Sequence, residues 1–252
     1  MIKALFIALS TYSVLPVPHF DWAERNMRYS ICFLPAVGIF SGGALLLWSY
    51  ICARIGVGSI LFAAVATILP LLITGGIHMD GFMDTVDALA SHKSKELKLQ
   101  ILKDPHAGAF AVIYCGAYLL ICFGLYTQLY RSAALPVVCI GFVLSRALSS
   151  FCACALVGAR TSGMLNAFTQ HINKCAALSA MGIVIALCIA SMIWLHPLAG
   201  VLCALLCMLC CIIYRAVALN QFGGVTGDTA GFFLQLAELL ILIGTCAAGF
   251  AA

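Results

Sequence analysis

The 252-residue sequence predicts an all-α fold, a polytopic integral membrane helix bundle of about seven transmembrane helices. Three observations predict it. Hydrophobic residues make up 64% of the chain and charged residues 9%, against about 25% charged in a typical soluble domain. Mean hydropathy is +1.11. Nine acids and thirteen bases could not clothe a water-soluble globule of this length. The bilayer is therefore the solvent for most of the chain, and spanning helices satisfy the backbone there. A net charge of +4, with the bases scattered, argues against a nucleic-acid partner.

The elements follow in order. Lys3 and a short apolar run over residues 4–9 precede Pro16 and Pro18, with no convincing small-residue cleavage pattern. This reads as an uncleaved amphipathic or interfacial segment, and His19 near Trp22 as interfacial. Seven spans are expected at residues 31–53, 57–74, 108–127, 133–157, 176–195, 198–214 and 229–252. Each suits a hydrocarbon core of ~30 Å at ~1.5 Å per residue. His196-Pro197 divides the fifth span from the sixth. The fourteen cysteines fall mostly in apolar runs and form no Cys/His set at zinc spacing, so they read as small packing residues and not as a disulfide framework. One membrane domain over residues 1–252 is the simplest organisation.

With the N-terminus cytoplasmic, the inner segments hold Lys3, Arg25, Arg28, Lys93, Lys95, Lys98, Lys103, Arg160, Lys174 and Arg215. The outer segments hold Arg54 and Arg131, and Arg146 lies within a span. That bias favours this orientation; the runner-up topology merges the fifth and sixth spans and puts the last loop outside. The favoured orientation puts the polar stretches 75–107, 158–175 and 220–228 on the cytoplasmic face, with active-site loops expected near 75–107 and 220–229.

Four features carry chemistry. The first is residues 75–87, where Gly75 and Gly76 precede His78, Asp80, Asp84 and Asp87. On a helix the three acids fall within roughly 60° of one another. Their repulsion is relieved by a divalent cation, and hard oxygen ligands beside substrate phosphates suit Mg²⁺. The double glycine permits close approach of a ligand, and His78 is a ligand or hydrogen-bond donor. The second feature is the loop of Gly223, Gly224, Thr226, Gly227 and Asp228 ahead of the last span. It offers backbone N–H groups to an anion at a helix start. Asp228 either binds metal or substrate or caps the helix. The third is Lys103 with Asp104, near Gly108, where the lysine can hold a phosphate oxygen. The fourth is Arg146, a costly charge inside a span. It either reaches toward the phosphates and metal or pairs with Glu238 or an Asp. His92, His171 and His196 are assigned no role. Together these residues are the inventory for divalent-metal chemistry on a diphosphate, in which a hydroxyl attacks one phosphorus.

The ordered motifs resemble the adenosylcobinamide-GDP ribazoletransferase family, also called cobalamin synthase or cobalamin-5'-phosphate synthase. The resemblance runs through Leu15-Pro16-Val17-Pro18, residues 33–38, residues 75–87, Lys103-Asp104 with Gly108, Ser145-Arg146-Ala147, and residues 223–228 with Gly231. The chain departs from the family pattern at Ala88, Ala111 and Asn220-Gln221. The resemblance implies a Mg²⁺-dependent, multi-pass enzyme of the bacterial inner membrane, its active site facing the cytoplasm. It would join adenosylcobinamide-GDP to α-ribazole or its 5'-phosphate and release GMP. Asp80 and Asp84 would hold Mg²⁺, with Asp228 as a further ligand. Asp87 would be a ligand or the general base, and Lys103 and Arg146 would steady phosphate charge. The expected partners are these small molecules, membrane lipid and a second copy of the chain in a homo-oligomer. The alternatives are another membrane diphosphate transferase, of the CDP-alcohol type, and a cation-coupled transporter.

Overall fold

The computed structural model describes residues 1–18, 20–21, 23–27, 29–160, 163–170 and 172–250. His19, Trp22 and His171 lie outside the described residues. The chain opens with α1 (Ile2–Tyr12), the short α2 (Glu24–Met27) and a 3₁₀ turn (Ser30–Phe33) that leads into α3 (Leu34–Ile55). Then come α4 (Ser59–Thr74), α5 (Ile77–Ala90), α6 (Lys95–Ile101), α7 (Ala109–Gln128), α8 (Leu135–Ala155) and α9 (Met164–Thr169). Last are α10 (Lys174–Leu195), α11 (Pro197–Val217), a π turn (Ala218–Phe222) and α12 (Gly227–Phe250). Among the described residues no strand forms, and a single parallel bridge joins Gly158 to Val225.

Six stretches, covering α3, α7, α8, α10, α11 and α12, are long and apolar enough to cross a membrane. The second expected span behaves differently. α4 is 16 residues long, about 24 Å at ~1.5 Å per residue, and α5 leaves it at 95°. The bend sits at Gly75 and Gly76, whose φ values are +64° and +80°. Left-handed backbone of this kind is open to glycine at little cost. Counted as one bent span, the pair brings the total to seven.

α8 is the most enclosed of the crossing helices, packing on α3, α10 and α12. Small residues set its approach to α3. A Cβ at Gly38 would lie 2.4 Å from the Phe142 carbonyl oxygen, and one at Gly42 would lie 2.4 Å from that of Cys139. In lipid, where apolar burial between helices gains little, such backbone contact is how helices hold one another. The outward faces carry Leu46, Leu47, Trp194, Leu205, Met208 and Ile212, the apolar surface that hydrocarbon requires. α1 buries Ala4, Ile7, Ala8 and Leu9 and packs on the 3₁₀ turn and the start of α3. All fourteen cysteines are free.

The connections gather the polar chain at one end of the bundle. There α3, α7, α10 and α12 begin, α4, α8 and α11 end, and α5, α6 and α9 fill the space between.

Candidate active site

At this end lies a cavity of about 450 Å³. Asp80 and His78 of α5 line it, with Thr226, Gly227 and Asp228 at the start of α12. Arg160 and Lys174 complete its charged wall. That volume suits a nucleoside-sized group.

Two glycines make the meeting of α5 and α12 possible. A Cβ at Gly81 would stand 2.8 Å from the Asp228 carbonyl oxygen, and one at Gly231 would stand 3.1 Å from that of His78. The two backbones touch, so Asp80 and Asp228 enter one cavity from separate helices. Asp228 does not cap α12. Thr226 and Thr229 do so reciprocally: Thr229 N–H donates to Thr226 Oγ1 at 3.1 Å and Thr226 N–H donates to Thr229 Oγ1 at 2.9 Å. This is the capping-box exchange with threonine at both positions, and it leaves the Asp228 carboxylate to the cavity. Arg160 is the base paired with it, with Nη1 4.0 Å from Oδ2.

His78 is buried, and neither ring nitrogen has a protein partner. Its ring stacks on Tyr12 at 6.0 Å between centroids. A buried imidazole without partners is expensive, and here it lines the wall of the cavity.

Other acids and bases of the sequence pattern are placed elsewhere. Asp87 accepts hydrogen bonds from the N–H groups of Gly108 at 2.6 Å and Ala111 at 2.9 Å. It thus caps α7, where a carboxylate is favoured by the orphan N–H groups and the helix dipole. Gly108 is needed for this, because a Cβ there would lie 2.7 Å from the carboxylate oxygens. Asp84 is half-buried on the same helix and does not line the cavity. Arg146 does not reach the cavity either. Only 1% exposed, it donates to Glu238 Oε1 at 2.6 Å and to the Phe142 carbonyl at 2.9 Å. A charge buried that far needs a counter-ion, and α12 supplies it. Lys103 and Asp104 are exposed and lie outside the cavity wall. The His106 N–H and ring both hydrogen-bond Asp104, holding its carboxyl below the usual range. In the glycine loop Gly223 turns the chain at φ +76°, while Gly224 is pressed on Val157. Gly75 and Gly76 form the α4–α5 bend and do not line the cavity.

Arg160 and Lys174 belong to no motif singled out in the sequence. The available signal was their place in the polar stretch 158–175, one of three on the basic face.

Mg²⁺ can be tested against this donor set. Among the described residues no three His, Cys, Asp or Glu side chains gather as a ready-made metal cage, and Asp87 is committed to α7. The two carboxylates in the cavity, Asp80 and Asp228, do fit an ion that takes one or two carboxylates and completes its shell with substrate phosphates and water.

A family model described as "Cobalamin-5-phosphate synthase" matches residues 4–246. A Lachnoclostridium phytofermentans protein named adenosylcobinamide-GDP ribazoletransferase is 42% identical over 95% of this chain and 91% of its own length. Proteins of the same name from Clostridium perfringens and Pseudomonas fluorescens are 31% and 32% identical, over 96% and 95% of this chain and 97% of their own lengths. No solved structure matches. With the model spanning nearly the whole sequence and these relatives similar from end to end, the chain belongs to the cobalamin-5-phosphate synthase family of transferases.

Proposed function

We propose that this enzyme joins adenosylcobinamide-GDP to α-ribazole or its 5'-phosphate at the cavity between α5, α12 and the segment after α8. The observation that carries the reading is the cavity itself, where carboxylates from two helices face two bases. A diphosphate needs that pairing of charges.

In the reaction, a ribazole hydroxyl oxygen forms a bond to the phosphorus on the cobinamide side. The anhydride P–O bond breaks and GMP departs with the bridging oxygen. The hydroxyl proton passes to a carboxylate. Asp80 and Asp228 would hold Mg²⁺, which when bound supplies positive charge against the diphosphate. The ring of His78, whose nitrogens have no protein partner, lines the wall and would help to orient the substrate. Arg160 and Lys174 neutralise phosphate oxygens. The basic end of the bundle faces the cytoplasm, by the excess of inner bases, in the inner membrane of a bacterium.

The test is to incubate the membrane-embedded protein with adenosylcobinamide-GDP, α-ribazole and Mg²⁺, and to follow GMP and the new corrinoid by chromatography. Equal amounts of GMP and corrinoid, absent with EDTA, are expected. Intact protein that yields neither product contradicts the reading.

A further inference from the structure

We infer that Arg160 is the residue that grips the donor diphosphate, and that the glycine loop before α12 serves to hold it in place. The inference rests on the transferase reading above.

The segment carrying Arg160 is bound to the loop by backbone. Ala159 N–H donates to the Val225 carbonyl at 2.9 Å, and Val225 N–H donates to the Val157 carbonyl at 2.8 Å. These two bonds make the one bridge between Gly158 and Val225. Gly224 lies at the closest point, where a Cβ would be 2.4 Å from the Val157 oxygen. No side chain fits there. The loop's fixed position relative to the segment therefore depends on a bare backbone at residue 224.

This pairing sets the guanidinium between α6 and α12. Nη2 donates to the Leu99 carbonyl of α6, and Nη1 stands 4.0 Å from Asp228, beyond hydrogen-bond reach. Nε is buried with no partner. A guanidinium has five N–H donors in a planar fork. Here a carbonyl orients it, and donors are left over in a cavity that Asp80, Thr226 and Gly227 also line. Its geometry matches two phosphate oxygens at once.

Three other bases are committed elsewhere. Lys98 bonds Gln221 and Lys95 bonds the Leu219 carbonyl. Arg146 is closed on Glu238. Lys174 lines the same cavity from the start of α10. Arg160 is the base that stands against Asp228, where the diphosphate charge must be met.

The experiment measures binding of GDP with Mg²⁺ to the full-length protein in lipid nanodiscs, by equilibrium dialysis. Wild type is expected to bind. Arg160→Ala should weaken GDP binding about tenfold or more, and Arg160→Lys should recover only part, since a point charge lacks the fork. Methylguanidine added to Arg160→Ala should restore binding, a response that a merely structural role would not give. In turnover, the KM for the donor should rise while the KM for α-ribazole holds. If Arg160→Ala is unstable, Gly224→Ala keeps the arginine and displaces it, with the same loss expected. GDP binding unchanged in the variants, or absent in wild type, overturns the inference. Arg160-dependent GDP binding in a protein that makes no GMP from adenosylcobinamide-GDP would overturn the substrate reading and leave this inference standing.

Discussion

Arg146 and Glu238 meet at 2.6 Å with 1% and 8% of their side chains exposed. Such a pair contributes little net stability, yet losing one partner strands the other charge. Glu238→Ala is expected to cost about 3–5 kcal/mol, read as a loss of folded yield and a lower melting temperature in detergent. The double variant Arg146→Met/Glu238→Leu should recover most of it. An unchanged melting temperature for Glu238→Ala would show that Arg146 is not left stranded when its partner is removed. Asp87 gives a second test at this scale. As the cap of α7 it uses both carboxylate oxygens, one for each N–H, and Asn can replace only one, so Asp87→Asn should lose about 1 kcal/mol of stability yet keep activity within about tenfold of wild type once inserted, while Asp87→Ala lowers stability by about 1–2 kcal/mol. A general base or metal ligand would lose nearly all activity in the Asn variant. The sequence marked these residues as costly or chemically loaded but could not divide their duties. Spacing places Asp80, Asp84 and Asp87 on one helix face alike. What separates them is the neighbour each meets, the cavity for Asp80 and the N–H groups of Gly108 and Ala111 for Asp87.

At the scale of elements, the contact of α5 with α12 makes the cavity. Gly81→Val should force the helices apart, because even a Cβ would stand 2.8 Å from the Asp228 carbonyl. Turnover is expected to fall by about two orders of magnitude or more, since misplacement by about 1 Å suffices for that. Near-normal turnover in a correctly inserted Gly81→Val would remove the contact from the account. The spans were legible in the sequence because apolar length is a local property. Helix α5 was not legible as an element turned 95° from α4. The glycine pair was read as room for close approach of a ligand, whereas it forms the bend, and the angle of that bend is set by tertiary packing. Arg160 and Lys174 were missed for a similar reason. Nothing in residues 158–175 has the spacing of a motif, and only the backbone bridge between Gly158 and Val225 brings Arg160 to Asp228.

For the whole molecule, the antiparallel order of the helices collects three distant polar stretches at one end, and the excess of bases there supports reading that end as cytoplasmic. Cys175, in the first turn of α10, is exposed, while the other thirteen cysteines are buried or half-buried. A membrane-impermeant maleimide should therefore label it in inside-out vesicles and not from outside intact cells. Labelling from outside would invert the topology and place the cavity on the wrong side for a cytoplasmic nucleotide. The central claim is that Asp80 and Asp228 work together in one cavity on the diphosphate. Its most direct test is single-turnover GMP release by Asp80→Asn and Asp228→Asn, each first shown by Cys175 labelling to be inserted like wild type. A fall of about a hundredfold or more in both variants is predicted. Near-normal release from either would contradict the account.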